Sequence, residues 1–168
     1  MKTGLRLSYI LVSARKEGRL GAIRILVVDD HAIVRRTLCA LLGAQPGMQV
    51  VGEAADGLQA VRKAEQYQPD VVLLDIAIPE INGLHAAPLI KEVAPDSEIL
   101  MVTQYEDGFF ARHAFAAGAR GFLTKTHATA ELVAAVKQVY SKKRFVSVQK
   151  APEFEAPGGN SGPGPTRP

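Results

Sequence analysis

From residue 23 onward the apolar and polar positions fall into a repeating two-part rhythm. Short runs rich in β-branched residues alternate with longer segments whose apolar positions recur every three or four residues. "IRILVVDD" opens the series as a strand. "AIVRRTLCALLG" follows with apolar residues at 33, 34, 38, 41 and 42, the spacing of one helical face, and Gly43 suits its end. "MQVVGEA" reads as a less apolar strand suited to a sheet edge, and "GLQAVRKAEQY" as a helix with Leu58, Val61 and Ala64 on one face. "DVVLLD" is a third strand, whose run Val71 to Leu74 is apolar throughout and therefore buried on both faces. "GLHAAPLIKEVAP" is helical in pattern but carries Pro88. A proline costs about 3 kcal/mol inside a helix and is tolerated in its first turn, so this helix is expected to start near Ala86–Ala87 or to kink. "SEILMVTQ" is a fourth strand, and "DGFFARHAFAAGA" a helix aligning Phe110, Ala114 and Ala117, closed by Gly118. "RGFLTK" is a short fifth strand, and "TAELVAAVKQVY" a last helix with Thr129 as N-cap, Glu131 in its first turn and Leu132, Val136 and Val139 inward.

Five strands in strict alternation with five helices specify a parallel sheet covered by helices on both faces. The pattern occupies residues 23–148. Residues 1–22 read as an N-terminal extension: their apolar stretch, Leu7 to Val12, is interrupted by Ser8 and is short for the hydrophobic region of an export signal. They are expected to be poorly ordered. Residues 149–168, rich in proline and glycine, cannot build a core and are expected to form a disordered tail.

Composition narrows the function classes. Of 168 residues, 47% are hydrophobic and 22% charged, the balance of a soluble globular domain. A net charge of +3 is too mild to argue for nucleic acid. No apolar run approaches the ~18 residues that span a bilayer, so no membrane role is expected. The single cysteine, Cys39, permits no internal disulfide and reads as a small buried hydrophobe in a reducing, cytoplasmic setting.

The candidate chemistry lies where the strands end. Open parallel sheets bind ligands beyond the carboxyl ends of their strands. There this sequence places Asp29 and Asp30 after the first strand, Asp75 after the third, Thr103 at the end of the fourth and Lys125 at the end of the fifth. The intervals of 45, 28 and 22 residues correspond to two, one and one strand–helix units. Three carboxylates in one pocket repel unless a cation joins them, and Mg²⁺ takes such ligands together with phosphate oxygens. An aspartate can accept a phosphoryl group covalently. Asp75, alone on its strand, is the better nucleophile; the adjacent Asp29 and Asp30 are better placed to hold metal. Lys125 and Thr103 can compensate the oxygens of the transferred group.

"ILVVDDHAIVRRTL", "VVLLDIAIPEINGL", "ILMVTQY" and "ARGFLTK" together resemble the receiver domains of bacterial two-component response regulators, over nearly all of residues 23–148. The local style is most similar to receivers of LuxR/NarL-type regulators. The resemblance implies a flavodoxin-like (βα)5 doubly wound fold with strand order 2-1-3-4-5. It implies phosphorylation of Asp75 by a sensor histidine kinase, with Mg²⁺ held by Asp29, Asp30, Asp75 and the Ala77 carbonyl. Thr103 and Lys125 then read the phosphoryl group, and Phe122 occupies the family's aromatic switch position. His31 falls at the pocket rim; none of His31, His85, His113 and His127 shows metal-ligand spacing.

Receivers of this type usually carry a helix-turn-helix output module, and the 18 residues after Lys150 are too few to form one. The expectation is a stand-alone switch acting through an unidentified downstream protein, without direct DNA binding and with monomer or homodimer left open. The alternatives are a transcriptional regulator truncated of its DNA-binding domain and a phosphatase using an aspartyl-phosphate. The second usually shows an acid two residues after the nucleophile, where this chain has Ala77.

Overall fold

The computed structural model describes residues 21–147; the expected tail lies outside them, as does all but the end of the expected extension. In chain order the elements are β1 (Ile23–Val28), α1 (Ala32–Gly43), β2 (Met48–Ala54), α2 (Gly57–Tyr67), β3 (Val71–Leu74), α3 (Gly83–Val93), β4 (Glu98–Thr103), α4 (Gly108–Ala116), β5 (Gly121–Thr124), α5 (Lys125–Tyr140) and β6 (Phe145–Ser147). All strand pairs are parallel, in the order β2-β1-β3-β4-β5-β6. This is the flavodoxin-like order with one more strand. β6, three residues long, pairs with the edge of β5.

Alternation along the strands divides the core in two, because successive side chains point to opposite faces. Leu26, Val28, Val72, Leu74, Ile99, Met101 and Phe122 pack against α2, α3 and α4. Ile25, Val27, Leu73, Leu100, Val102 and Leu123 pack against α1 and α5. The three helices on the first face turn alanines to the sheet, Ala60 and Ala64, Ala86 and Ala87, Ala111 and Ala114, which bring their backbones close to it.

Several boundaries and faces differ from the sequence reading. α3 starts at Gly83 rather than near Ala86: the Asn82 side chain caps it by accepting from the His85 N–H at 3.0 Å, and Pro88 is carried in its second turn. α5 starts at Lys125, immediately after β5, with Thr124 as N-cap instead of Thr129. In α2 the buried residues are Gly57, Ala60 and Ala64, and Leu58 is exposed. In α1, Leu38 and Leu42 are buried, while Ile33 is 81% exposed. Cys39 is only partly buried.

Candidate functional site

The first and third strands supply the acids. β1 and β3 pair in register up to Val28↔Leu74, so Asp29 and Asp75 leave the sheet side by side. The ladder runs one bond further on each: the Asp75 N–H donates to the Val28 carbonyl and the Asp29 N–H to the Ala54 carbonyl, both at 3.1 Å. This is where the strand order reverses, the position at which open parallel sheets take ligands. Asp29 and Asp75 are 1% and 2% exposed. Asp30, next along, faces outward.

Lys125, the first residue of α5, closes the pocket from the far side. Its Nζ lies 2.7 Å from Asp29 Oδ2 and 2.7 Å from Asp75 Oδ2. It donates a hydrogen bond to Asp75. Burial pushes the Lys125 ammonium toward its neutral form, but hydrogen bonding and charge from Asp29 and Asp75 outweigh this and hold its pKa above the usual lysine value. Asp75 Oδ1 accepts the Ala77 N–H at 3.3 Å. Asp29 Oδ1 accepts the His31 N–H at 2.8 Å. Asp29 Oδ2 is buried and has the Lys125 ammonium as its partner, at the same 2.7 Å as Asp75 Oδ2.

Three carboxylates against one ammonium leave this pocket with surplus negative charge, which is costly when partly buried. One ligand atom from each of Asp29, Asp30, His31 and Asp75 can be chosen so that all lie within 4.8 Å of one another. Hard carboxylate oxygens in this number suit a divalent ion such as Mg²⁺, so the residues fit the expected metal.

The loop after β3 is held by close backbone contact. The Gly83 N–H donates to the Ile76 carbonyl at 2.9 Å, and the Gly57 N–H to the Pro79 carbonyl at 3.2 Å. A Cβ on Gly83 would stand 2.1 Å from the Asp75 carbonyl oxygen. Glycine there lets α3 begin against the backbone that carries Asp75. Thr103 sits buried at the carboxyl end of β4, in register with Thr124, the residue before Lys125. Its hydroxyl accepts the Tyr105 N–H at 3.5 Å. Phe122 is not among the polar groups of the pocket; it is fully buried on the face covered by α2, α3 and α4.

One rim residue and one contributor that the sequence reading missed complete the pocket. His31 Nδ1 lies 2.9 Å from Asp30 Oδ1 and 3.5 Å from Asp29 Oδ1, closer to the acids than a rim position suggested. Arg35 donates to the Asp29 carbonyl at 2.7 Å and to Glu53 at 3.1 Å, which fixes the backbone under the acids. The signal for Arg35 was its place one helical turn after His31, whose carbonyl accepts the Arg35 N–H at 2.9 Å.

A family model described as "Response regulator receiver domain" matches residues 25–137. The chain belongs to this family. Among curated relatives, the response regulator GacA of Pseudomonas viridiflava is 40% identical over 132 residues, covering 79% of this chain and 62% of the relative. This receiver therefore spans less than two thirds of that relative's length. Among solved structures, a two-component response regulator of the LuxR family from an Aurantimonas species matches with TM-score 0.71 and 38% identity, over 74% of this chain and 89% of that one. The response regulator domain of Thermotoga maritima CheB matches with TM-score 0.68 and 37% identity, over 71% of this chain and 97% of that one. Among the described residues of the receiver, no helix is long and apolar enough to cross a membrane.

Proposed function

We propose that this receiver is a phosphorylation switch of two-component signalling, in which Asp75 takes a phosphoryl group from a sensor histidine kinase and a downstream protein reads the change. The observation that carries this reading is the buried Asp75 carboxylate, 2.7 Å from the Lys125 ammonium, in a pocket shared with Asp29 and Asp30. An Asp75 oxygen attacks phosphorus as the nitrogen–phosphorus bond of the kinase phosphohistidine breaks. Lys125 stands where it can pair with an oxygen of the incoming group, and the Thr103 hydroxyl can donate to another. Held by Asp29, Asp30, Asp75 and the Ala77 carbonyl, Mg²⁺ would compensate charge on the phosphoryl oxygens. The added charge would then reposition Thr103 and Phe122, and through them the surface of α4, β5 and α5.

The domain acts as a switch rather than a turnover catalyst, since position 77 carries no acid to activate water. The chain's net charge of +3 is too mild to argue for DNA as the contact, so the reading assigns a protein partner and sets the domain in the cytoplasm. A groove of about 180 Å³ between α1 and α5, lined by Ile33, Val34, Leu38, Leu41 and Ala128, opens beside Lys125. With Ile33 exposed at its edge, it offers the kinase an apolar foothold next to the acceptor.

The test is incubation with acetyl phosphate and Mg²⁺, followed by intact mass. The expected result is a single phosphoryl adduct that requires the metal and disappears in Asp75→Asn. No adduct, or one that survives in Asp75→Asn, refutes the reading.

A further inference from the structure

We infer that β6 is an autoinhibitory strap: in the unphosphorylated chain it covers the edge of β5 between α4 and α5, and phosphorylation of Asp75 releases it so that a downstream protein reaches that edge. The inference rests on the proposed phosphorylation of Asp75 and concerns how the signal leaves the pocket. β6 runs parallel to β5, with Gly121↔Phe145, Phe122↔Val146 and Leu123↔Ser147 in register. Without it β5 would end the sheet, and a bare edge offers unpaired N–H and C=O groups to any extended segment. β6 takes up that edge from within the chain: the Phe145 N–H donates to the Arg120 carbonyl at 3.3 Å.

The strap is fastened on both faces of the sheet. Phe145 packs with the core beneath α1 and α5. On the other face the Arg144 guanidinium lies 3.8 Å from the centre of the Phe115 ring in α4, a cation–π contact. Between α5 and β6, Lys142 stands at φ 61°, the left-handed conformation where glycine is usual. Its N–H donates to the Val139 carbonyl and the Lys143 N–H to the Gln138 carbonyl, both at 2.9 Å, and this turn aims the chain back along β5. The hold is nonetheless light. β6 has three residues, the short end of the range for strands, and Val146 is 44% exposed. Edge segments with few buried contacts open first. The pocket reaches this strap without slack. β5 ends at Thr124 and α5 begins at Lys125, so when Lys125 turns from Asp29 and Asp75 to a phosphoryl group it pulls directly on β5. Phe122, which the proposed switch moves, lies in register between Met101 of β4 and Val146 of β6. A shift of β5 or α4 therefore acts at once on the β6 pairing and on the contact between Arg144 and Phe115.

The test follows amide hydrogen exchange of the full chain by peptide mass spectrometry, with intact mass of the same samples reporting the phosphoryl adduct. Without acetyl phosphate, β6 should be protected. With acetyl phosphate and Mg²⁺ its exchange should rise about tenfold or more, while β1 stays protected. Asp75→Asn should show neither the adduct nor the rise. Arg144→Ala should raise exchange at β6 severalfold in the unphosphorylated chain, again with β1 unchanged. The strap is overturned, and the phosphorylation reading left standing, by any of three results: unchanged β6 exchange in a chain that carries the adduct, β6 unprotected from the start, or Arg144→Ala without effect. Absence of the adduct in the wild type overturns both.

Discussion

Replacing Lys125 with methionine keeps a similar side-chain length and removes the ammonium that sits 2.7 Å from each of two carboxylates. Asp29 and Asp75 are 1% and 2% exposed, so the variant leaves two like charges facing each other out of water. Deleting one partner of a buried ion pair costs about 3–5 kcal/mol, because the remaining charge is uncompensated. Lys125 itself is 17% exposed, so some water reaches the site and the low end applies, about 3 kcal/mol. For a domain of this size that is a fall in Tm of about 10 °C. The assay is urea unfolding of wild type, Lys125→Met and Lys125→Arg, each without and with a divalent ion. The arginine variant should keep most of the stability, and the ion should narrow the methionine deficit by supplying positive charge. The sign of the pH dependence follows from the raised pKa of Lys125. A group whose folded pKa lies above its unfolded value stabilises fully below the unfolded value, about 10.4 for lysine, and loses that contribution as pH rises through the folded one. The gap between wild type and Lys125→Met should therefore stay level from about pH 7 to about pH 10 and close above that. A deficit under about 1 kcal/mol at neutral pH, or a gap that closes below about pH 9, refutes this account of the pocket.

Three further outcomes are expected. Gly83→Ala forces a Cβ to 2.1 Å from the Asp75 carbonyl oxygen, a backbone atom that has little room to yield. Thermal melts should show a loss of about 2 kcal/mol, with slower uptake of phosphoryl from acetyl phosphate because Asp75 is displaced. Cys39, with a pKa raised to about 11 first by burial and then by Glu53, should react slowly with a disulfide reagent at pH 8 and faster as pH climbs toward 11; rapid labelling at pH 8 contradicts the placement. Ile33→Glu should slow phosphoryl transfer from the kinase without changing uptake from acetyl phosphate, measured by following the adduct mass with time; equal effects on both donors contradict a docking role for α1.

Much of the site was legible because strand ends are marked by abrupt changes of polarity. Asp29, Asp30, Asp75 and Lys125 each follow an apolar run, and the fold needed only parallel strands to bring them to one edge. The errors came where local signals compete. Thr124 and Thr129 both precede helix-forming residues, and the chain takes the earlier cap because β5 passes into α5 without a loop. Pro88 argued for a late start of α3, but the Asn82 cap and the bond from Gly83 to Ile76 fix the helix end more strongly than one lost backbone bond loosens it. In α2 the larger Leu58 drew the inner face toward itself, whereas close approach to the sheet favours Ala60 and Ala64. Ile33 falls on the apolar side of the pattern with Leu38 and Leu42, yet in the first turn of α1 it stays exposed at the groove shared with α5. β6 was invisible because its three residues follow the basic run "SKKR" and carry too short an alternation to separate from a loop.

The most direct measurement locates the acceptor itself. After acetyl phosphate and divalent metal, borohydride reduction converts an aspartyl-phosphate to a stable alcohol, which peptide mass spectrometry can assign to a position. The account predicts reduction at Asp75, with Asp29 and Asp30 unmodified. Reduction at either of those two, or at no aspartate, would contradict it.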